Sequence, residues 1–166
     1  MKAVVQRVKS ASVNIFEQNY SEKIDKGLLI LLGIKSGDTE EDVVFVADKC
    51  CNLRIFEDDE NKMNKSVKDV FGEMMIISQF TLYGETSKGN RPSFIDAARP
   101  EEAIPLYNKF VSRVKLNLGE DKVKEGIFGA MMDIELINYG PVTVIVKSKN
   151  SKWPKDNELL NLCIMY

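Results

Sequence analysis

The chain has 166 residues, 44% of them hydrophobic, a length that supports one compact domain with its own core. Its 23 basic and 25 acidic residues leave a formal charge of -2, which excludes the strongly basic surface of a protein that binds nucleic acid indiscriminately. The chain has no histidine, so neither a Ser-His-Asp triad nor a Cys-His pair can be built.

The cysteines and the apolar segments indicate in which cellular compartment the protein is expected. Cys50 and Cys51 are neighbours in a helical-looking stretch and Cys163 stands apart, so the set has neither the spacing of a disulfide framework nor that of a zinc site. We predict that Cys50 and Cys51 are core residues rather than reactive thiols. No segment has the length of a signal peptide core or a membrane-spanning helix. We therefore expect a soluble cytoplasmic protein with no metal and no membrane contact.

Two strands and a helix are predicted in the first third of the chain. The opening KAVVQRVKSASVNI alternates as a strand does, and LLILLGI is apolar enough for a strand buried on both faces. Asp38 or Thr39 then caps an amphipathic helix that places Val43, Val46 and Cys50 on one face.

The middle of the chain is predicted to contain a strand, a loop and a second helix. EMMIISQFTLYG is a β-prone run that ends at Gly84, and ETSKGNRPSFIDAARP has the composition of a loop. EEAIPLYNKFVSRVKLNLG is amphipathic, with Gly119 as a stop and Pro105 in or near the first turn, where proline is tolerated.

The last part offers two or three strands joined by glycine-bearing turns, within KVKEGIFGAMMDIELINYGPVTVIVKS. We predict one α/β domain over residues 1–147 and an appendage over 148–166, in the form of a flexible tail or a short docked helix. The glycine-rich phosphate loops GxGxxG and GxxxxGK[ST] are absent, so we expect no nucleotide cofactor.

Two short segments are candidates for chemistry. In SQFT, alternation places Ser78 with Phe80 on one strand face and Gln79 with Thr81 on the other. These polar groups either emerge into solvent at a strand end or line a pocket. In NYGPVT, Gly140-Pro141 is either a hairpin turn or, at a much lower base rate, a cis peptide bond with a function of its own.

These two segments belong to a longer series of motifs. The chain carries QRV, GLLILLG, NLRIF, KMN, SQFTLY, KGNRPSF, FGA and NYGPVT in this order, and it closely resembles the D-aminoacyl-tRNA deacylases from residue 1 to about residue 147. The resemblance implies largely antiparallel mixed sheets with two main helices on one side, in a homodimer with its active sites at the subunit interface. It also implies proofreading in translation: removal of D-amino acids, and of glycine from mischarged tRNA-Ala, at the aminoacylated 3′ end of tRNA.

The resemblance further implies a role for each motif residue. Gly140 and Pro141 would form a cis peptide that reaches into the partner's pocket and excludes L side chains, braced by Arg7 and supported by neighbouring motif residues. The aminoacyl group would lie among residues of the SQFT segment, and the terminal adenosine near the FGA segment. The residues concerned are Asn138, Val142 and Thr143 as support; Ser78, Gln79, Phe80 and Thr81 around the aminoacyl group; and Phe128, Gly129 and Ala130 at the adenosine.

Catalysis has two readings within this family. Either the ribose 2′-hydroxyl of the substrate assists while backbone amides stabilise the oxyanion, or Thr81 acts as a covalent nucleophile. Because the chain offers no histidine as a base for Thr81, we favour assistance by the 2′-hydroxyl. An alternative function of a different class is that of a non-catalytic dimer that binds nucleic acid through its C-terminal tail.

The sequence does not decide the roles of four residues. Lys88 and Arg91 either contact the tRNA backbone or belong to a solvated loop. Met131 stands where the family commonly has an acidic residue, and Tyr139 where aspartate is frequent. Both neighbour the expected site, so we expect an effect on substrate range or tRNA preference.

Overall fold

The computed structural model describes residues 1–149, so most of the predicted appendage, residues 150–166, lies outside the described part, and the domain division at residue 147 stays a prediction. Within residues 1–149 the strands are β1 (Lys2–Ile15), β2 (Tyr20–Ile24), β3 (Gly27–Gly33), β4 (Phe56–Glu57), β5 (Met63–Lys65), β6 (Glu73–Ser78), β7 (Val123–Glu125) and β8 (Asp133–Lys147). The helices are α1 (Glu40–Asn52) and α2 (Pro100–Leu118), with short 3-10 turns at Phe16–Gln18, Phe80–Tyr83 and Glu120–Lys122.

Strand β1 organises the main sheet. It pairs antiparallel with β2 and β3 in successive stretches, and antiparallel with β8 over most of its length. Its side chains alternate between buried and partly exposed positions, as the sequence pattern predicted.

Strands β3, β6 and β7 form the parallel part of the same sheet, with β6 between the other two. Six of the seven residues of GLLILLG are buried and Leu31 is half-buried, which confirms the predicted two-sided burial. The small hairpin of β4 and β5 forms a separate sheet.

Local signals mark the start of α1 and the end of α2. The Thr39 side chain accepts from the backbone N–H of Asp42 while the Asp42 carboxylate accepts from the backbone N–H of Thr39, which completes a capping box at α1. The backbone N–H of Gly119 closes α2 on the carbonyl of Lys115. Pro105, expected in or near the first turn, lies inside α2, which begins at Pro100.

The two helices pack against each other and cover one face of the sheet, as expected. Their buried faces, including Val46 and Phe110, form the larger core with alternate residues of β1, β3 and β6. A second, smaller core on the opposite face contains Val13, Leu29 and Met75.

Two strands, β7 and β8, follow residue 122 and are joined by a segment that contains Gly126 and Gly129, as predicted, but Gly140-Pro141 is not the hairpin turn that the sequence left open. β8 is one long strand, and residues on both sides of Gly140-Pro141 pair with β1. A hairpin would have paired the two halves of β8 with each other. The segment is instead an irregularity in a single strand, because β1 is long enough to serve as the partner of both halves.

Candidate functional site

The SQFT segment lies at the carboxyl edge of the parallel strands. Ser78 is the last residue of β6 and stands opposite Leu32 of β3, and the backbone N–H of Gln79 donates to the carbonyl of Leu32 at 2.7 Å. The chain then turns into the 3-10 helix Phe80–Tyr83. The predicted continuous strand to Gly84 is therefore wrong beyond Ser78.

The turn occurs there because β3 ends in a glycine. A Cβ atom at Gly33 would lie 3.1 Å from the carbonyl oxygen of Gln79 and 3.1 Å from Cβ of Leu82, so the turn packs directly on the glycine backbone. The alternation predicted for SQFT is corrected by the same feature. Ser78, Gln79 and Phe80 all border one pocket instead of two opposite strand faces.

The pocket has a volume of about 310 Å³ and lies between the end of β6, the chain before and within α2, and residues 128–134. Three residues proposed for the adenosine, Phe128, Gly129 and Ala130, form its second wall. The Phe128 ring stands edge-on against Tyr107 with ring centroids 5.7 Å apart, so a core aromatic holds it in place.

The lining of the pocket within residues 1–149 contains no charged side chain. Its polar side chains are Ser78 and Gln79, and the remainder are apolar or glycine. Thr81 is exposed beside the pocket and accepts a hydrogen bond from the Gln79 side-chain amide at 2.5 Å. The site therefore offers hydrogen-bond donors and a shaped apolar cavity rather than a general base.

Residues 138–143 form the second candidate segment, the cis-proline loop. Asn138 pairs with Val8 and Thr143 with Gln6, so residues 139–142 face the single residue Arg7. The Gly140-Pro141 peptide bond is cis, in agreement with the expectation from the family.

The cis-proline loop packs against one of its own side chains. A Cβ atom at Gly140 would lie 2.3 Å from the side-chain nitrogen of Asn138, so the loop closes over that amide. Val142 is buried, whereas Asn138, Gly140, Pro141 and Thr143 are exposed.

Arg7 is the main support of the cis-proline loop. Its side chain is almost completely buried, with Nε donating to the carbonyl oxygen of Tyr139 at 2.8 Å and a terminal nitrogen donating to the carbonyl of Ile55 at 2.7 Å. The other terminal nitrogen lies 3.8 Å from a carboxylate oxygen of Glu57. No local pattern in the sequence indicates Ile55 and Glu57 as partners of Arg7.

The two candidate segments do not meet within one chain. None of residues 138–143 borders the pocket. In the sheet, the loop stands at the level of Arg7, which pairs with Leu28, whereas Ser78 is level with Leu32 at the other end of β3. Sequence analysis also missed Met132 and Ile134 in the pocket wall, although the alternation at the start of β8 carried a signal for them.

The loop of Lys88 and Arg91 lies beside the pocket. Both side chains are exposed, and the loop closes through a bridge between Glu85 and Ser93. Its Phe94 stands edge-on against Phe80, with centroids 5.2 Å apart, so the loop is fixed to the pocket rim.

Residues 1–149 contain no helix that is long and apolar enough to cross a membrane. In the same range, no three His, Cys, Asp or Glu side chains are grouped as a metal site would require.

The family model and the curated relatives that match this chain indicate the same family. The model of the family described as D-Tyr-tRNA(Tyr) deacylase matches residues 4–147. A protein of Flavobacterium psychrophilum named D-aminoacyl-tRNA deacylase is 55% identical over 152 residues, which cover 92% of this chain and 100% of the relative. A protein of the same name from Cytophaga hutchinsonii is 52% identical with the same coverage.

Solved structures resemble the fold. The c-Myc DNA unwinding element binding protein superposes with a TM-score of 0.83 at 40% identity, covering 89% of this chain and 99% of its own. A probable eukaryotic D-amino acid tRNA deacylase superposes with a TM-score of 0.74, covering 87% of this chain and 97% of its own. At 16% identity the second match concerns the fold alone.

Proposed function

This chain belongs to the D-Tyr-tRNA(Tyr) deacylase family, and we propose that it hydrolyses the ester bond of D-aminoacyl-tRNA, releasing free tRNA and the D-amino acid. As a member of this family, the chain is a hydrolase that acts on ester bonds. The observation that carries the proposal is the uncharged pocket at the end of β6, bordered by Ser78, Gln79 and Phe80 on one side and by Phe128 on the other.

The pocket suits the 3′ end of a charged tRNA. Phe128 presents an aromatic side chain for the terminal adenine, with Gly129 and Ala130 beside it. The ester carbonyl then lies beside the SQFT segment, where backbone N–H groups other than that of Gln79, which donates to the Leu32 carbonyl, stabilise the oxyanion. Water attacks the carbonyl carbon, the bond to the ribose oxygen breaks, and that oxygen takes up a proton as the tRNA leaves.

Assistance by the substrate's 2′-hydroxyl fits this site better than a threonine nucleophile. The neighbour of Thr81 is the side-chain amide of Gln79, which donates a hydrogen bond and cannot accept the hydroxyl proton. The described lining of the pocket has no carboxylate or amine for that purpose. An aminoacyl ester is reactive enough to be hydrolysed by oriented water.

Selection by chirality is assigned to the cis-proline loop. The carbonyl oxygens of Gly140 and Pro141 are main-chain groups in fixed positions, and a side chain forced against them suffers both a clash and desolvation. An L side chain is rejected in this way and a D side chain points elsewhere. Glycine has no side chain to reject, so removal of glycine from mischarged tRNA-Ala is part of the proposal.

The separation of the loop from the pocket supports a homodimer as part of the proposal. The exposed loop does not reach the pocket of its own chain, so it would serve the pocket of a partner. In the described part of the chain β8 pairs with β1 alone, and its exposed side chains include Leu136, Ile137 and Ile145. An apolar strand edge of this kind is stabilised when a second subunit covers it.

The remaining contacts with tRNA are assigned to the loop of Lys88 and Arg91. Two exposed cations beside the pocket rim suit the phosphates near the 3′ end. A cytoplasmic location is part of the same proposal, because charged tRNA is consumed there.

Hydrolysis of D-Tyr-tRNA and L-Tyr-tRNA by the purified protein tests the proposal. We expect a preference for the D isomer of on the order of 100-fold or more, since the filter acts by exclusion. Equal rates on the two isomers would contradict the filter. An intact fold without hydrolysis, together with salt-sensitive nucleic-acid binding lost on removing residues 150–166, would favour a nucleic-acid-binding dimer instead.

A further inference from the structure

Tyr139 immediately precedes the cis peptide and differs from its loop neighbours in burial. Its side chain is half-buried, whereas Asn138, Gly140 and Pro141 are exposed. Its carbonyl oxygen is the acceptor for Nε of Arg7, so the residue contacts Arg7 through its backbone as well as its side chain.

The ring of Tyr139 covers the charge that supports the loop. The guanidinium carbon of Arg7 lies 4.3 Å from the ring centroid, and Nζ of Lys9 lies 5.6 Å from it. Arg7 and Lys9 are two residues apart on β1, and both cations lie near the same ring. An aromatic face attracts cations at these distances, and it also shields the buried guanidinium from water.

The hydroxyl of Tyr139 makes a much weaker contact. It lies 3.5 Å from a carboxylate oxygen of Glu57, at the outer limit of a hydrogen bond, and Glu57 is itself substantially exposed. The ring, rather than the hydroxyl, therefore carries the interaction with Arg7.

The loop depends on this support because the strand ladder does not hold it. The pairing of β1 and β8 is interrupted between Gln6 and Val8, so none of residues 139–142 is paired with a residue of β1. Arg7 divides its donors among Tyr139, Ile55 and Glu57. Without the ring, water reaches the guanidinium, which can then turn from the loop towards the Glu57 carboxylate.

We infer that Tyr139 is a positioning residue whose ring fixes Arg7, and through Arg7 the orientation of Gly140 and Pro141. The inference rests on the proposed function of the cis-proline loop as a chirality filter. Filtering by clash requires fixed carbonyl groups, because a loop that yields admits the side chain it should reject. Tyr139 therefore affects discrimination more than turnover of the accepted isomer.

The test compares Tyr139→Ala and Tyr139→Leu with Tyr139→Phe. Alanine removes the ring, leucine keeps apolar volume without an aromatic face, and phenylalanine keeps the face without the hydroxyl. The measured quantity is kcat/KM for D-Tyr-tRNA divided by kcat/KM for L-Tyr-tRNA. We expect this ratio to fall at least tenfold in the alanine and leucine variants and to stay within twofold in the phenylalanine variant.

The outcomes distinguish the role of Tyr139 from the chirality filter on which that role rests. If the unmodified protein does not discriminate between the isomers, the filter itself is refuted. If it discriminates and the alanine and leucine variants keep the ratio within twofold, the role of Tyr139 is refuted. A fall in the phenylalanine variant equal to that in the other two would also overturn it, because the hydroxyl would then be the essential group. Circular dichroism of each variant confirms that the fold is retained, and the leucine variant decides if the alanine variant does not fold.

Discussion

The hydroxyl of Tyr107 on α2 donates a hydrogen bond to the backbone carbonyl oxygen of Ile76 on β6 at 2.9 Å, and both groups are buried. The same carbonyl accepts from the backbone N–H of Gly126 at 3.0 Å. Tyr107 thus joins the helix layer to the strand that ends at Ser78, and its ring also contacts Phe128 of the pocket wall.

Replacing Tyr107 with phenylalanine should lower the free energy of unfolding by about 1 kcal/mol. The loss is limited because the Ile76 carbonyl keeps the hydrogen bond from Gly126. Urea unfolding measures it. Tyr20→Phe is a matched comparison, since the Tyr20 hydroxyl donates to the Glu125 carbonyl at 2.7 Å from a less buried position, and should cost no more. No change in the Tyr107 variant would show that the hydrogen bond contributes nothing net.

Thr81→Ala should retain deacylation within about threefold, because an oriented water rather than Thr81 attacks the ester. Loss of a true nucleophile would reduce kcat by ~10³-fold or more. Single-turnover hydrolysis of D-Tyr-tRNA distinguishes the two. Thr86→Ala, in the exposed loop that follows, controls for general effects of removing a threonine. A mass increase of one aminoacyl group, located at Thr81 by peptide mapping, would establish Thr81 as the nucleophile.

The ion pair between Asp48 of α1 and Arg113 of α2 should make stability depend on pH. Arg113 donates from Nε and a terminal nitrogen to the two carboxylate oxygens, each at 2.7 Å, and Asn117 donates at 2.9 Å. The hydrogen bond from Arg113 is the main reason why the pKa of Asp48 lies below its ordinary value.

A lowered pKa means that the folded protein holds this proton less tightly than the unfolded chain. The contribution is therefore complete above the unfolded pKa of about 3.9 and disappears as the pH falls through the lower folded pKa. Asp48→Asn should cost about 1 kcal/mol at pH 7, a figure reduced because both side chains are about one-third exposed.

Urea unfolding at pH 7, 5 and 3.5 measures this difference between the unmodified protein and the Asp48 variant. The difference should be constant from pH 7 to pH 5 and smaller at pH 3.5. Glu40→Gln, which breaks the more exposed pair with Lys109, should change stability by only about 0.3 kcal/mol. A difference for Asp48→Asn that grows at acidic pH would have the wrong sign for a lowered pKa.

Cys50 and Cys51 should resist alkylation in the folded protein. Both side chains are completely buried, and burial raises the pKa of the Cys51 thiol to about 12 and also raises the pKa of Cys50. Since the thiolate is the reacting form, iodoacetamide at pH 8 should label neither residue in the time that labels both in urea. Peptide mass mapping identifies each site separately. Rapid native labelling of either residue would contradict the core assignment.

Local signals in the sequence predicted the helices well because helix ends are determined within a few residues. Thr39 and Asp42 cap α1 through their own side chains, and Gly119 ends α2 as predicted. The end of β6 could not be found in this way. SQFTLY has the composition of a strand, but the strand ends where its partner β3 ends, at Gly33.

The motifs indicated the family, the candidate residues and a cis peptide, while the sequence alone left NYGPVT open between a hairpin turn and a functional element. Tertiary structure decided that it is an irregularity in one strand, because β1 pairs with β8 on both sides of it. Tertiary structure also placed the buried Arg7 between the carbonyls of Tyr139 and Ile55 and kept the loop away from the pocket. These relations join residues far apart in the chain, and local propensity carries no information about such pairs.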